Sequence, residues 1–109
     1  MKYVSFSEFM KMDIRIGKVL KCERIPGRSK ILKAIVDVGE EKPRIMIVGG
    51  GNIYPPEYFE NKLFVAIVNL EPKIIAGIKS EGMLLAADYK GKPYWLTVDG
   101  EVPPGTRVR

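Results

Sequence analysis

The stretch "DIRIGKVLKCER", residues 13–24, decides the fold, because its alternation of apolar and polar residues breaks once in the middle. Four residues are predicted to share one face of a long strand: Ile14, Ile16, Leu20 and Cys22. Lys18 falls out of that pattern directly after Gly17. A glycine followed by a slip in phase is typical of a β-bulge or a sharp strand bend. The stretch therefore predicts a first strand that bends.

Four further strands are predicted along the chain, each a short apolar or alternating run bounded by turn residues. These runs are "ILKAIVDVG" (31–39), "RIMIV" (44–48), "LFVAIVNL" (63–70) and "GMLLAADY" (82–89). In the second strand the alternation places four residues on one buried face: Leu32, Ala34, Val36 and Val38. The fourth strand is apolar throughout, which predicts a central position in the sheet.

Two short helices and a hairpin complete the predicted order. The capping box "SFSE" (5–8) predicts a first helix ending near Met12, and the prolines of "YPPEYFENK" (54–62) predict a second. "KG" (90–91) predicts a hairpin turn into "PYWLTV" (93–98). A glycine bend in strand one and a helix between strands three and four match the OB fold, with an SH3-like barrel as the alternative. The sequence thus predicts one all-β domain over residues 1–109, a five-stranded OB-fold barrel with short helices and an added C-terminal hairpin.

The composition argues against several classes of enzyme. The chain has no histidine and one cysteine, Cys22, so neither a Ser-His-Asp triad nor a standard zinc site can be assembled. Ser80 is not in a nucleophile elbow, because Ile78 stands where that motif needs glycine. The glycines 49–51 lack the Lys-Ser/Thr of a P-loop, and we expect them to form a strand exit with positive φ. No catalytic residue, metal or cofactor is predicted.

The positive charge is concentrated in one half of the chain. The net charge is +5, and residues 1–48 carry all of it, with 11 Lys and Arg against 6 Asp and Glu. Residues 15–33 hold seven of these cations against one acidic residue, Glu23. Clustered cations favour a polyanionic partner, since binding releases the counterions of its phosphates. Ordinary solvated surface charge is the alternative.

The sequence also predicts a cytoplasmic protein with no membrane partner. It starts with Met-Lys-Tyr and shows no apolar signal sequence. No run approaches the roughly 20 apolar residues of a membrane span. A single cysteine fits a reducing compartment.

Two segments carry a resemblance to a known family: "MDIRIGKVLKCERIPGRSKILKAIVDVGEE" (12–41) and "NKLFVAIVNLEPKIIAGIKSEGMLLAA" (61–87). They resemble the tRNA-binding domain that is appended to methionyl-tRNA synthetases, occurs as a free-standing dimeric tRNA-binding protein and forms the core of EMAP II-type cofactors. The most specific part of the match is Asn69-Leu70, Pro72, Gly77 and the run "SEGML", residues 80–84. The resemblance implies an OB fold, structure-specific binding of the outer corner of tRNA and, in the short free-standing forms, a homodimer.

The charge pattern and the resemblance together predict an RNA-binding groove. Six cations are expected to contact the tRNA backbone: Arg28, Lys30, Lys33, Arg44, Lys73 and Lys79. The resemblance links Ser80 and Met83 with tRNA binding, Ser80 through hydrogen bonds to a 2′-hydroxyl or base edge and Met83 through packing on an exposed base. In the alternative, Ser80 only caps a turn and Met83 is the first core residue of strand five.

Other residues are expected to have structural roles. Asn69 is predicted to satisfy loop backbone, and the larger aromatic residues are expected in the core or an interface: Tyr54, Tyr58, Phe59 and Trp95. Phe6, Phe9 and the proline-rich tail form an apolar edge that predicts dimerisation. The expected function is a dimeric, β-subunit-type accessory of a methionyl-tRNA synthetase, or a free-standing tRNA binder, with aminoacylation left to a separate chain.

A second resemblance gives the alternative function. "IIAGIKSE" (74–81) is similar to the secretion chaperone CsaA, a dimeric OB-fold protein credited with peptide binding. The loop after strand four is also poorer in cations than is usual for the tRNA binders, with Ile74, Ile75 and Ala76 in their place. The Gly82-Met83 pair and the basic first loop favour the tRNA-binding role.

Overall fold

The computed structural model describes all 109 residues, with two short helices and ten strands. The helices are α1 (Phe6–Met10) and α2 (Pro56–Phe59). The strands are β1 (Ile14–Ile25), β2 (Arg28–Asp37), β3 (Arg44–Gly49), β4 (Leu63–Ile67), β5 (Lys73–Ile75), β6 (Ile78–Ser80), β7 (Met83–Leu84), β8 (Ala86–Tyr89), β9 (Lys92–Trp95) and β10 (Arg107–Val108). Both helices, of five and four residues, are far too short to cross a bilayer.

Five strands form a nearly closed antiparallel barrel in the order β3-β2-β1-β4-β7, and β10 pairs with the start of β1. The predicted all-β, OB-like barrel is confirmed. The long strand β1 makes this possible, because its first part pairs with β4 and its second part with β2. Lys18 lies at the changeover, opposite both Leu63 and Asp37.

A bulge in β1 is confirmed, but it lies at Leu20 and not directly after Gly17. The predicted inner face is wrong, because Ile14 and Ile16 pair with Ile67 and Val65 outside the core cluster, whereas Cys22 lies within it. Val19 pairs with Val36 and Lys21 with Ile35, so Leu20 is an extra residue in the ladder and is 45% exposed. A bulge reverses the alternation of the side chains that follow it, and a prediction from regular alternation does not include that change.

The core fills the barrel from both long strands and from α2. The four residues predicted on the inner face of β2 have no exposed surface, and they surround Phe59, which is also fully buried. Tyr54, Tyr58 and Trp95 pack around that ring, with Trp95 at 5.4 Å between ring centroids. The predicted core or interface position of these aromatic residues is therefore confirmed as core packing.

The last third of the chain differs from the prediction in two places. Residues 73–80, expected as an open loop, form the separate β5–β6 hairpin with Ala76 and Gly77 in its turn, both at positive φ. The expected fifth strand over 82–89 is broken at Leu85 into β7 and β8. The Leu85 N–H still donates to the Val65 carbonyl, but the Val65 N–H donates to the Leu96 carbonyl. The predicted "KG" hairpin is confirmed between β8 and β9, although the second strand ends at Trp95.

Candidate functional site

The β5–β6 hairpin is fastened to the edge of β3. The Ile47 N–H donates to Ser80 Oγ at 3.0 Å, and the Glu81 N–H donates to the Ile45 carbonyl at 2.8 Å. Ser80 Oγ in turn donates to the Gly82 carbonyl at 3.3 Å, and the Ser80 residue is only 6% exposed. The predicted site residue Ser80 thus holds the hairpin on the barrel and offers little surface to a partner.

Gly82 allows this close approach. A Cβ atom on Gly82 would lie 2.9 Å from the Ile67 carbonyl oxygen and 2.7 Å from Met46 Cε, and its φ is +153°. A backbone oxygen cannot move as a flexible side chain can, so a larger residue would push the segment between β6 and β7 away from β4.

Three of the predicted cations follow β2. Arg28 and Lys30 lie at its start, exposed and without an ion-pair partner. Lys33 lies between Glu23 of β1 and Ile47 of β3, with Nζ 3.7 Å from Glu23 Oε1. Since Ile47 also contacts Ser80, Lys33 is separated from the β5–β6 hairpin by a single strand.

Lys73 and Lys79 lie on the hairpin itself. Both are exposed, and neither makes an ion pair. Lys79 pairs with Ile74, and these two residues occupy the face opposite to the buried Ser80. The two basic segments, separated by about 40 residues of sequence, therefore belong to elements on either side of β3. Within the hairpin, Lys73 pairs with Ser80 and lies on the face opposite to Lys79.

Arg44 is placed differently from the other cations. Its Nε and Nη2 donate to both carboxylate oxygens of Glu40 at 2.7 and 2.8 Å, and Nη1 donates to the carbonyls of Val68 and Glu81. The hydrogen bond to Glu40 raises the pKa of Arg44 and lowers that of Glu40. Arg44 therefore joins β3 to the ends of β4 and β6, and four of its five N–H donors are used within the protein.

Met83 is 43% exposed, whereas its neighbour Leu84 is 4% exposed. The alternative in which Met83 is the first core residue is therefore wrong, and Leu84 has that position. Met83 lines an apolar groove of about 370 Å³ between the edge of β3 and the β7–β8 segment. The other lining residues are Ile47, Val48, Gly49, Leu84, Leu85, Ala86 and Trp95.

The remaining predictions at the site concern backbone support and reactive groups. Asn69 accepts from the Asp13 N–H and donates to the Lys11 carbonyl, as predicted. Gly50 has φ +77°, as predicted for the strand exit. Cys22 is buried, and burial raises the pKa of its thiol to about 11, so the thiol stays protonated at neutral pH.

One exposed cluster was not singled out from the sequence. The β8–β9 hairpin exposes Tyr89 and Tyr94 beside Lys90 and Lys92. The stretch "YKGKPY" (89–94) indicates this cluster, because aromatic and cationic residues flank its turn. Only the hairpin was predicted from the sequence.

The comparisons with known proteins agree with this architecture. A family model described as "Putative tRNA binding domain" matches residues 14–107. The methionine–tRNA ligases of Archaeoglobus fulgidus and Thermotoga maritima are 46% and 44% identical to the chain, each over 96% of it. The chain spans about 16% of the length of either ligase.

Two solved structures match over essentially the whole chain. A MetRS related protein from Pyrococcus horikoshii superposes with a TM-score of 0.93 at 40% identity, covering 100% of both chains. The chaperone CsaA of Bacillus anthracis superposes with a TM-score of 0.87 at 30% identity, covering 99% of this chain and 100% of that one.

Proposed function

Because this chain belongs to the tRNA-binding domain family, we propose that it binds tRNA by its folded shape and its phosphate backbone. One observation carries the proposal: cations from two segments, residues 28–33 and 73–79, flank the same strand, β3. Four of them are exposed and unpaired: Arg28, Lys30, Lys73 and Lys79. Such cations gain affinity by displacing phosphate counterions, which requires no base-specific contact.

The individual residues have three kinds of role in this proposal. The four unpaired cations and Lys33 contact phosphates, and Met83 packs against a base in the apolar groove beside β3. Ser80 and Arg44 contribute by fixing the β5–β6 hairpin and the end of β3. In this proposal Arg44 has a positioning role in place of the predicted phosphate contact.

A charge-reversal experiment tests this site. We expect Lys30→Glu with Lys33→Glu to weaken tRNA binding by at least tenfold, because two favourable phosphate contacts become repulsive. Lys42→Glu is a suitable control, since Lys42 lies in the turn at the far end of β2. For the unaltered protein, log K should fall with log salt by about 0.7–0.9 per phosphate contact. Unchanged binding by the double variant would show that the site lies on another face.

We further propose that the chain acts as a homodimeric accessory module of a methionyl-tRNA synthetase, or as a free-standing binder, in the cytoplasm. The methionine–tRNA ligase relatives and the whole-length match to the MetRS related protein support the role as an accessory module. Dimerisation is supported by exposed apolar side chains at the N-terminus: Tyr3, Val4, Phe6, Phe9 and Met10. Light scattering should give twice the 12.3 kDa of one chain, and a 12.3 kDa particle at micromolar concentration would contradict dimerisation.

A second candidate function is the binding of an extended peptide, as the similarity to CsaA suggests. The apolar groove beside Met83 and the 68% exposed Ile74 favour it. Salt separates the two functions, because apolar peptide binding should change little between 50 and 300 mM salt, whereas RNA binding should weaken steeply.

A further inference from the structure

The β8–β9 hairpin presents one face to the barrel and the other to solvent. Pairing places Ala86 opposite Trp95 and Asp88 opposite Pro93 on the inner face. Tyr94 lies opposite Ala87, and Tyr89 opposite Lys92, on the outer face. Accordingly Tyr89 is 60% exposed and Tyr94 46% exposed, while Trp95 packs against the core.

The outer face combines aromatic rings with cations. The Tyr89 and Tyr94 ring centroids are 6.5 Å apart. Lys92 Nζ lies 5.0 Å from the centroid of Tyr94, and Lys90 Nζ lies 5.4 Å from that of Tyr89. Neither lysine makes an ion pair, and the one carboxylate of the hairpin, Asp88, lies on its opposite face. The surface is therefore both positively charged and able to stack.

Lys90 sits at the tip of the hairpin in an unusual conformation. Its φ is +52°, followed by Gly91 at +78°, as a two-residue turn of type I′ requires. Asparagine, aspartate or glycine is the usual residue at the first of these positions, because a longer side chain is less readily accommodated at positive φ. The turn thus holds a cation at the tip although local conformational preference favours a smaller residue.

The hairpin is also adjacent to the proposed RNA-binding site. Tyr54 Oη donates to the Pro93 carbonyl, and Pro93 Cγ lies 3.0 Å from the position of a Cβ on Gly50. The next residue, Gly51, donates its N–H to the Lys30 carbonyl. The hairpin and the basic start of β2 therefore both contact the strand exit at 49–51.

We propose that the outer face of the β8–β9 hairpin is a second RNA-contacting surface, which stacks an unpaired nucleotide on Tyr89 and Tyr94 while Lys90 and Lys92 contact its phosphates. This inference rests on the proposed function and adds residues that neither the basic segments nor the "SEGML" stretch includes. Tyrosine rings stack any base, so the surface recognises unpaired RNA without a sequence preference.

Three variants of the full chain test the stacking and charge contributions separately, with total tRNA as the probe. Tyr89→Ala with Tyr94→Ala should weaken binding roughly 5- to 100-fold at unchanged salt slope, because stacking is lost and charge is kept. Tyr89→Phe with Tyr94→Phe should bind like the unaltered protein, because the rings remain. Lys90→Gln with Lys92→Gln should weaken binding and make the salt slope shallower by about 1.4–1.8. Lys42→Gln is the control for the loss of a distant positive charge.

A blunt RNA duplex and light scattering complete the design. The alanine pair should leave binding to the blunt duplex unchanged, because a duplex offers no base for stacking. If the alanine pair binds tRNA normally while Lys30→Glu with Lys33→Glu does not, the hairpin proposal is wrong and the proposed function stands. If the unaltered chain binds no tRNA, the proposed function itself fails. If the alanine pair changes only the mass of the particle, the surface joins two copies of the chain, which also overturns the proposal.

Discussion

At the scale of single residues, the "SEGML" stretch contains side chains with different roles, because some are buried and others are exposed. Ser80 lies in the "SEGML" stretch, yet its hydroxyl is satisfied inside the protein by the Ile47 N–H and the Gly82 carbonyl. Met83, three residues later, is the member of that stretch that faces outward. A single motif therefore contains one residue that shapes the site and one that is exposed to a partner.

Replacing Ser80 with alanine should destabilise the protein before it affects binding. The Ile47 N–H would lose its acceptor in a largely buried place, which costs about 1–3 kcal/mol. Urea denaturation monitored by circular dichroism measures the loss, and Ser29→Ala, at an exposed position of β2, is the matched control. Ser80→Thr should recover part of the stability, since it retains a hydroxyl. Equal stability of the unaltered protein and Ser80→Ala would show that the hydrogen bond is unimportant.

At the scale of elements, the barrel is extended by two hairpins that attach at its open edge. The β5–β6 hairpin is attached to β3 through Ser80 and Glu81, and the β8–β9 hairpin through Trp95 and the Tyr54–Pro93 hydrogen bond. Each hairpin carries at least one exposed lysine, and the β8–β9 hairpin also packs Trp95 against the core. Short hairpins are marginally stable alone, so their orientation depends on these attachments.

Gly82 is the joint between the first hairpin and the barrel, and we expect Gly82→Ala to disturb both. The new Cβ would meet the Ile67 carbonyl and Met46, and overpacking of this kind costs about 1–3 kcal/mol. The thermal midpoint should fall, and the amides of β6 should exchange faster with solvent. Gly100→Ala is the matched control, because nothing lies within 4 Å of a Cβ there. A Gly82→Ala protein as stable as that control would contradict the close packing.

At the scale of the whole molecule, a network of charges joins distant parts of the chain around one end of the barrel. Arg15 donates to both Asp13 oxygens at 3.0 and 2.9 Å, and Arg107 Nε of β10 lies 3.7 Å from the same carboxylate. Arg15 also approaches Glu40 at 4.0 Å, which is bound by Arg44. The network therefore joins β1, the turn before β3, and the last strand.

The network predicts sensitivity to acid. The hydrogen bond from Arg15 lowers the pKa of Asp13 below its ordinary 3.8, and that from Arg44 lowers the pKa of Glu40 below 4.5. A carboxyl whose pKa is lowered by folding stabilises the protein above its unfolded pKa, and this contribution is lost as the pH falls through the folded value. Urea midpoints should therefore decrease from pH 5 to pH 3. Asp13→Asn with Glu40→Gln should show a smaller decrease, and an equal decrease would exclude the network as its source.

The sequence by itself determined the first four strands of the barrel in chain order, the inner face of β2, the irregularity in β1 and the turn at Lys90-Gly91. Each of these depends on residues close together in sequence, whose alternation or turn preference is visible in a single run. The same local patterns indicated a barrel, because a bent first strand can pair with two neighbours. They failed at Leu20, where one bulged residue reversed the phase.

Only the tertiary structure decided which of the predicted site residues face a partner. Arg44 and Ser80 each make hydrogen bonds to backbone atoms 24 to 37 residues away in sequence. The two basic segments are brought near each other only because both contact β3. The β8–β9 hairpin likewise contacts Gly50 through Pro93, and the adjacent Gly51 donates its N–H to the Lys30 carbonyl. The physical reason is that burial and hydrogen bonding at a barrel edge depend on which distant strand packs against it. A short stretch of sequence does not specify that strand.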